Sequence, residues 1–200
     1  MAYVKRKRSP AVVIALIVVG AALYGVGCFA TMNIVIGTIT FRPAAFISCL
    51  WGILFGPWVG GLAAAICNTF ISDVLSGWFG IGGLGGFVGN FLMAFIPGMF
   101  VRNPKKTSQV IFWSIIGTLL CGICIGGWQQ IMNINKFWVM TIAIWACNLP
   151  INIILTPIAT KLLLPRTIKR GLYWRILPDE KAAEGAEPAP AEPTPSEPGK

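Results

Sequence analysis

Few side chains in this sequence could do polar chemistry in an apolar setting, and they are unevenly placed. Arg42, Asp73 and Lys136 are the three charges that stand apart from the charged groups at 5–8, 102–106, 161–181 and the C-terminal segment. Near them along the chain stand Asn33, Thr38, Thr40, Trp78, Asn90, Trp128, Gln129, Gln130, Asn133, Asn135 and Trp138, while Asn68, Asn148 and Asn152 lie inside apolar runs. Amides and aromatic rings with little charge suit a planar, neutral or weakly charged ligand, because rings stack and amides satisfy heteroatoms. Arg42 and Asp73 either pair with each other or frame such a site, since ionisable groups at membrane depth face the protein interior.

Catalytic chemistry finds no such support, and the sequence predicts a protein that is not an enzyme. The apolar region holds one carboxylate, the chain has no histidine, and no Ser or Cys is flanked by a plausible base. The glycine-rich stretch from Gly80 to Gly86 lacks the Gly-Lys-Ser/Thr ending of a phosphate-binding loop. It is expected to be an outer loop, either one that approaches a ligand or a plain connector. The six cysteines (28, 49, 67, 121, 124, 147) all fall in apolar runs. They are expected to pack as small apolar groups, with no metal site, cofactor or disulfide framework.

The elements that must position these residues are membrane helices. Hydrophobic residues make up 56% of the chain and charged residues 12%, with a mean hydropathy of +0.73. Uncharged stretches run over 9–41, 43–72, 74–101, 107–135 and 137–160. Each exceeds the roughly 20 residues that cross a bilayer core, and a charge at mid-bilayer costs about 2.5–3.5 kcal/mol on insertion scales. The formal charge of +9 could suggest nucleic acid. The basic residues flank hydrophobic runs, however, which points to anchoring at the cytoplasmic face and to no nucleic-acid partner.

Parity fixes the number of spans. The basic clusters Lys5–Arg8, Arg102 with Lys105 and Lys106, and Lys161–Arg175 should share the cytoplasmic side. An even number of crossings must therefore separate them. Three runs lie between the first two clusters, so one must split, and Gly56–Pro57 is the best break. Spans are expected at roughly 10–30, 40–55, 58–76, 84–101, 109–128 and 137–163, making an all-α bundle of six transmembrane helices with both termini cytoplasmic. All Lys and Arg except Arg42 and Lys136, 14 of 16, then lie inside. Residues 1–9 form a basic cytoplasmic N-terminus, 10–163 the membrane domain, and 164–177 a basic juxtamembrane segment. Residues 178–200, rich in Pro, Ala and Glu, should be disordered. Residues 5–28 loosely resemble a secretion signal, but the apolar run continues past Cys28, so an uncleaved first span is expected. Most tryptophans are expected in an interfacial aromatic belt.

Small residues mark the first span: Ala11 with Ala15, Ala21 with Gly25, and Ala22 beside them. A spacing of four puts two small side chains on one helix face, which lets another helix approach closely, within the bundle or from a partner.

The order of several short elements resembles a known family. Phe41-Arg42-Pro43, then Trp51 to Pro57 (WGILFGP), Gly60-Gly61, Asn68, Ser72-Asp73, Ser76-Gly77-Trp78, Gly89-Asn90 and Pro97-Gly98 follow one another over residues 41–98. Together they resemble the S components of energy-coupling factor (ECF) transporters, closest to the riboflavin-type and uncharacterised branches. The resemblance implies a subunit in a prokaryotic-type cell membrane that captures a vitamin or related micronutrient from outside. It also implies a membrane coupling subunit and two cytoplasmic ATPase subunits as partners, with the bilayer as the surrounding phase. Ala11, Ala15 and Ala22 would meet the coupling subunit. Asn90, Trp128, Gln129, Asn133 and Asn148 would line the site, to which the reading of the residues themselves adds Arg42, Asp73 and Trp78. A stand-alone channel or secondary transporter, or a membrane assembly scaffold, are the competing expectations.

Overall fold

The computed structural model describes residues 6–31, 35–36, 39–40, 42–75 and 83–176, with no side-chain description for residues 35, 36, 39, 40, 72 and 73. The chain divides into two compact units. One comprises residues 1–6 and 175–200, of which only Arg6, Arg175 and Ile176 are described. The expectation of a disordered tail therefore lies outside the described residues. The other, residues 7–174, carries the helices.

Helix α1 (Pro10–Ala30) starts where local chemistry places it. Ser9 is the N-cap, its Oγ accepting from the Val12 amide, and Pro10 fills the first helical position, where the missing N–H costs nothing. Two-residue strands β1 (Val35–Ile36) and β2 (Ile39–Thr40) pair antiparallel after it. A 3₁₀ turn, Pro43–Ala45, leads into α2 (Phe46–Phe55). Gly56 then takes φ 109°, a left-handed conformation that only glycine adopts cheaply, and Pro57 opens α3 (Pro57–Ile66). A π-helical stretch, Cys67–Ser72, and the short α4 (Asp73–Leu75) continue the same rod. Then come α5 (Gly83–Phe100), α6 (Thr107–Ile131) and α7 (Phe137–Lys169). Pro150, Pro157 and Pro165 lie inside α7 without ending it. Neighbouring helices and hydroxyl side chains can re-satisfy the backbone groups that proline frees at membrane depth. The helix therefore runs six residues beyond the expected end at 163, into the basic segment.

Four helices, α1, α5, α6 and α7, are long and apolar enough to cross a membrane; the segments 43–55 and 57–71 are apolar but shorter. The described part of the chain is thus helical with membrane-spanning character.

The rods pack closely because their contact faces are stripped of bulk. A Cβ on Gly60 would overlap the Gly52 backbone, and one on Gly52 would overlap the Ala94 carbonyl, so α2, α3 and α5 meet backbone to backbone. The core at this junction is built from small residues, Ala21, Ala44, Ala45, Ala64, Ala94 and Cys49 among them. Tryptophans complete the seams. Trp51 Nε1 donates to the Leu16 carbonyl at 2.9 Å, Trp145 Nε1 to Leu119 at 3.0 Å, and Trp174 Nε1 to Ile53 at 3.1 Å. Three of the eight tryptophans thus tie chain segments together, a role the expected aromatic belt does not include.

Candidate functional site

The packing sorts the helix ends into two sets. Gly27 of α1 lies against Ala44, Gly25 against Ile71, and Gly83 and Gly85 of α5 against Trp128 of α6. These contacts bring the C-terminal end of α1, the start of α2, the end of the α3 rod, the start of α5 and the end of α6 to one end of the helix-bearing unit. At the opposite end, Arg8 donates to the carbonyls of Phe55, at 2.9 Å, and of Leu172. The Trp174 amide donates to Leu54 at 3.3 Å. The Gly56–Pro57 turn therefore reaches the end that carries the start of α1 and the segment after α7.

The first end gathers the candidate polar residues into two hydrogen-bonded pairs. Arg42, half-buried, donates from Nη1 to Asn68 Oδ1 at 2.9 Å. Asn68 is held in the π-helical stretch, whose wider turn interrupts the regular ladder, and such bulges recur at functional sites. Tyr24 of α1 donates its hydroxyl to Asn90 Oδ1 at 2.8 Å, and Asn90 Nδ2 donates to the Gly86 carbonyl at 2.8 Å. Asn68, Tyr24 and Asn90 are all buried. Both pairs border one core cluster, which includes Tyr24, Cys28, Ala44, Cys67 and Cys121. Beside them, Gly83 and Gly85 let Trp128 lie close against α5, and its indole N–H is buried with no hydrogen-bond partner among the described residues. A donor held in that state costs free energy unless something polar meets it.

The other expected site residues have different local roles. Gln129 is buried, and its Oε1 accepts from Asn135 Nδ2 at 2.7 Å while its carbonyl accepts from the Ile134 amide at 2.9 Å. It shapes the α6–α7 turn. Asn133 sits in that turn, exposed, at φ 55°, a left-handed conformation that asparagine tolerates. Asn148 is half-buried on α7. Asp73 lies in α4, but its side chain is outside what the structure describes, as is all of Trp78. Ala11, Ala15 and Ala22 are all exposed on α1, whereas Gly20, Ala21, Tyr24, Gly25 and Cys28 are buried. The Ala21/Gly25 face packs within the bundle and the Ala11/Ala15/Ala22 face points away from it. Of the expected outer loop, Gly83 to Gly86 belong to α5, where the bare Gly83 and Gly85 seat Trp128, and residues 80–82 lie outside the described residues.

A second polar feature was only half read from the sequence, which singled out Asn152 but not the threonines that follow it. Asn152 is fully buried on α7 and donates Nδ2 to Thr118 Oγ1 of α6 at 2.7 Å. Thr156 and Thr160 follow on the same face at helical spacing, also fully buried. Asn152 Oδ1, Thr156 Oγ1 and Thr160 Oγ1 have no hydrogen-bond partner among the described residues. The spacing of four in Asn152, Thr156 and Thr160 was the available signal. The six cysteines are free thiols, five of them buried. Among the described residues no group of three or more His, Cys, Asp or Glu side chains is placed to hold a metal ion.

Residues 15–142, most of the helical unit, match the sequence profile of a family of unknown function, DUF8171. The chain belongs to the DUF8171 family. It is also similar to UPF0397 proteins of Vibrio and Aliivibrio species. It is 34% identical over 97 residues to one from Vibrio atlanticus, covering 48% of this chain and 52% of that relative. It is 33% identical over 98 residues to one from Aliivibrio salmonicida, again 48% and 52%. The chain thus matches about half the length of these curated relatives. No solved structure matches it.

Proposed function

We propose that this DUF8171 protein is the substrate-binding membrane subunit of an ECF-type importer, with six spans, both termini cytoplasmic and a site open to the outside. The observation that carries the reading is the gathering of Arg42–Asn68, Tyr24–Asn90 and the Trp128 N–H at the end of the unit away from the basic clusters. The motif order over 41–98 and the outward Ala11/Ala15/Ala22 face support the same reading, the latter as the contact for a membrane coupling subunit working with two ATPases. The contact of the Gly56–Pro57 turn with Arg8 and Trp174 favours a full crossing by segments 43–55 and 57–75 over a shallow hairpin. The ligand is a vitamin-like, largely neutral planar molecule held by amides, a phenol and an indole. Uptake then requires partners, since the sequence carries no phosphate-binding loop.

Affinity purification from a prokaryotic plasma membrane, with mass spectrometry of co-purifying proteins and bound small molecules, tests this. A vitamin-like ligand together with two ATPase subunits is the expected result. A purified protein with neither sinks the reading. For topology, a single cysteine placed at position 104 or 58 in a cysteine-free background should be unreachable by an impermeant thiol reagent added outside. Labelling at 104 rejects the six-span layout, and labelling at 58 alone rejects the two short spans. The buried Asn152–Thr156–Thr160 file favours a second reading, a self-contained channel or secondary transporter. Transport by the protein alone in vesicles selects it.

A further inference from the structure

We propose that the seam between α6 and α7 holds a short file of buried water molecules, carried by Ser114, Asn152, Thr156 and Thr160. The register of the two helices places these side chains. α6 and α7 run antiparallel: Gly126 lies against Phe137 and Thr141, Gly122 against Trp145, and Asn152 Nδ2 donates to Thr118 Oγ1 at 2.7 Å. One turn from that bond, toward the basic end, α6 presents Ser114 and α7 presents Thr156, with Thr160 a turn further along α7. All four side chains are fully buried.

Donor and acceptor accounting identifies the occupant. Ser114 Oγ, Asn152 Oδ1, Thr156 Oγ1 and Thr160 Oγ1 have no hydrogen-bond partner among the described residues. Each hydroxyl therefore lacks both an acceptor for its hydrogen and a donor for its lone pairs, while the amide oxygen lacks a donor. A helical threonine can return its hydroxyl to the carbonyl four residues back, as Thr118 does to Ser114 and Thr167 to Leu163. Thr156 and Thr160 do not. A cation would meet the lone pairs and leave the hydroxyl hydrogens unmet, whereas water both donates and accepts. The spacing agrees. Residues four apart on a helix rise about 6 Å, and two hydrogen bonds of about 2.8 Å through one water oxygen cover nearly that distance. Pro157 lies within the file and offers no amide hydrogen to the Ile153 carbonyl, which frees a backbone acceptor beside it. The file has ends. On one side Thr141 Oγ1 donates to the Gly122 carbonyl and Trp145 Nε1 to that of Leu119. On the other, one turn beyond Ser114 and Thr160, Val110 and Leu164 are buried. The inference needs neither the importer reading nor a conducting pore.

The test uses the full-length protein in detergent. A brief X-ray pulse makes hydroxyl radicals from bound as well as bulk water, and these oxidise side chains beside them. Met93 is fully buried, and its sulfur accepts from Asn152 Nδ2 at 3.7 Å. Mass spectrometry should therefore find Met93 converted to its sulfoxide in the folded protein. Combined Ser114→Ala, Thr156→Val and Thr160→Val should abolish that labelling. An unlabelled Met93 in the wild type, or undiminished labelling in the variant, overturns the proposal. If the triple variant fails to fold, Thr156→Val alone decides by sign. In a dry seam it removes an unmet polar group and raises the melting temperature; in a wet one it leaves water short of a partner and lowers it. A fall of about 2–4 °C is expected, and an unchanged or higher value overturns the proposal. Exchanging sodium for choline at equal ionic strength should leave the wild-type melting temperature unchanged. A sodium-dependent rise that Thr156→Val abolishes would make the occupant a cation, and also overturns it.

Discussion

At one end of the helical unit, Arg42 donates to Asn68 and Tyr24 to Asn90, so charge and phenol are both met by amides inside the protein. At the other, Lys161 and Lys169 stand beside a cavity between the α5–α6 loop and the last turns of α7, and the amides of Asn103 and Gln109 serve only that loop's own backbone. Apart from the Trp128 N–H, the first end pairs these polar groups with one another and thereby fixes where α1, α2, the α3 rod and α5 meet. The second holds Lys161 and Lys169 exposed on the last turns of α7. Substitutions at the first end should therefore reach the fold, and those of the two lysines should leave it nearly unchanged.

The largest effect is expected from Arg42→Leu. It removes a charge-assisted hydrogen bond to Asn68, which is 5% exposed, and such bonds contribute about 1.5–3 kcal/mol. Thermal unfolding in detergent should show a loss of that size, together with weakened ligand binding. A loss confined to binding would mean that Asn68 keeps its position without the guanidinium.

Next comes Tyr24→Phe. Interhelical hydrogen bonds at membrane depth contribute roughly 0.6 kcal/mol on average and up to about 1.7. Because the Tyr24–Asn90 bond is buried, the upper half of that range is expected. A double-mutant cycle with Asn90→Ala should recover a coupling energy of about the same size. Strict additivity would show that the two side chains are neighbours without being partners.

Much of the fold was legible because it depends on local chemistry. Ser9–Pro10 announces the start of α1, and Gly56–Pro57 announces the break between α2 and α3, each through backbone rules that need no tertiary partner. The candidate site was legible only in its residue types. Arg42 was expected to pair with Asp73 or to frame a site, yet its described partner is Asn68, 26 residues away in sequence. Tyr24 went unnoticed because its partner lies 66 residues on, and nothing local distinguishes a bonded tyrosine from an interfacial one. The tryptophans teach the same lesson. Gly20 lies against Trp51, and Gly122 against Trp145; the missing side chain on the facing helix is what turns a membrane tryptophan inward. That pairing of glycine with a distant indole is a tertiary fact.

A smaller effect on stability, with a larger one on function, is expected of Trp128→Phe. The ring packing on Gly83 and Gly85 survives, and only the partnerless N–H is lost. Unfolding should shift by less than about 0.5 kcal/mol. Ligand affinity should fall about five- to tenfold if the indole donates to the ligand, the equivalent of one hydrogen bond of about 1–1.5 kcal/mol. Titration calorimetry with the co-purified ligand checks it. Unchanged affinity would remove Trp128 from the site and leave the Arg42 end to be explained by packing alone.

The smallest effect of all should come from Lys161→Gln measured in neutral detergent. Lys161 is exposed at the rim of the cavity, and surface substitutions away from caps and cores stay within about 0.5 kcal/mol. The contrast with Arg42→Leu is then a test of where charge is structural. A large loss in neutral detergent would instead make Lys161 a structural charge like Arg42, and the two ends of the molecule would no longer differ in kind.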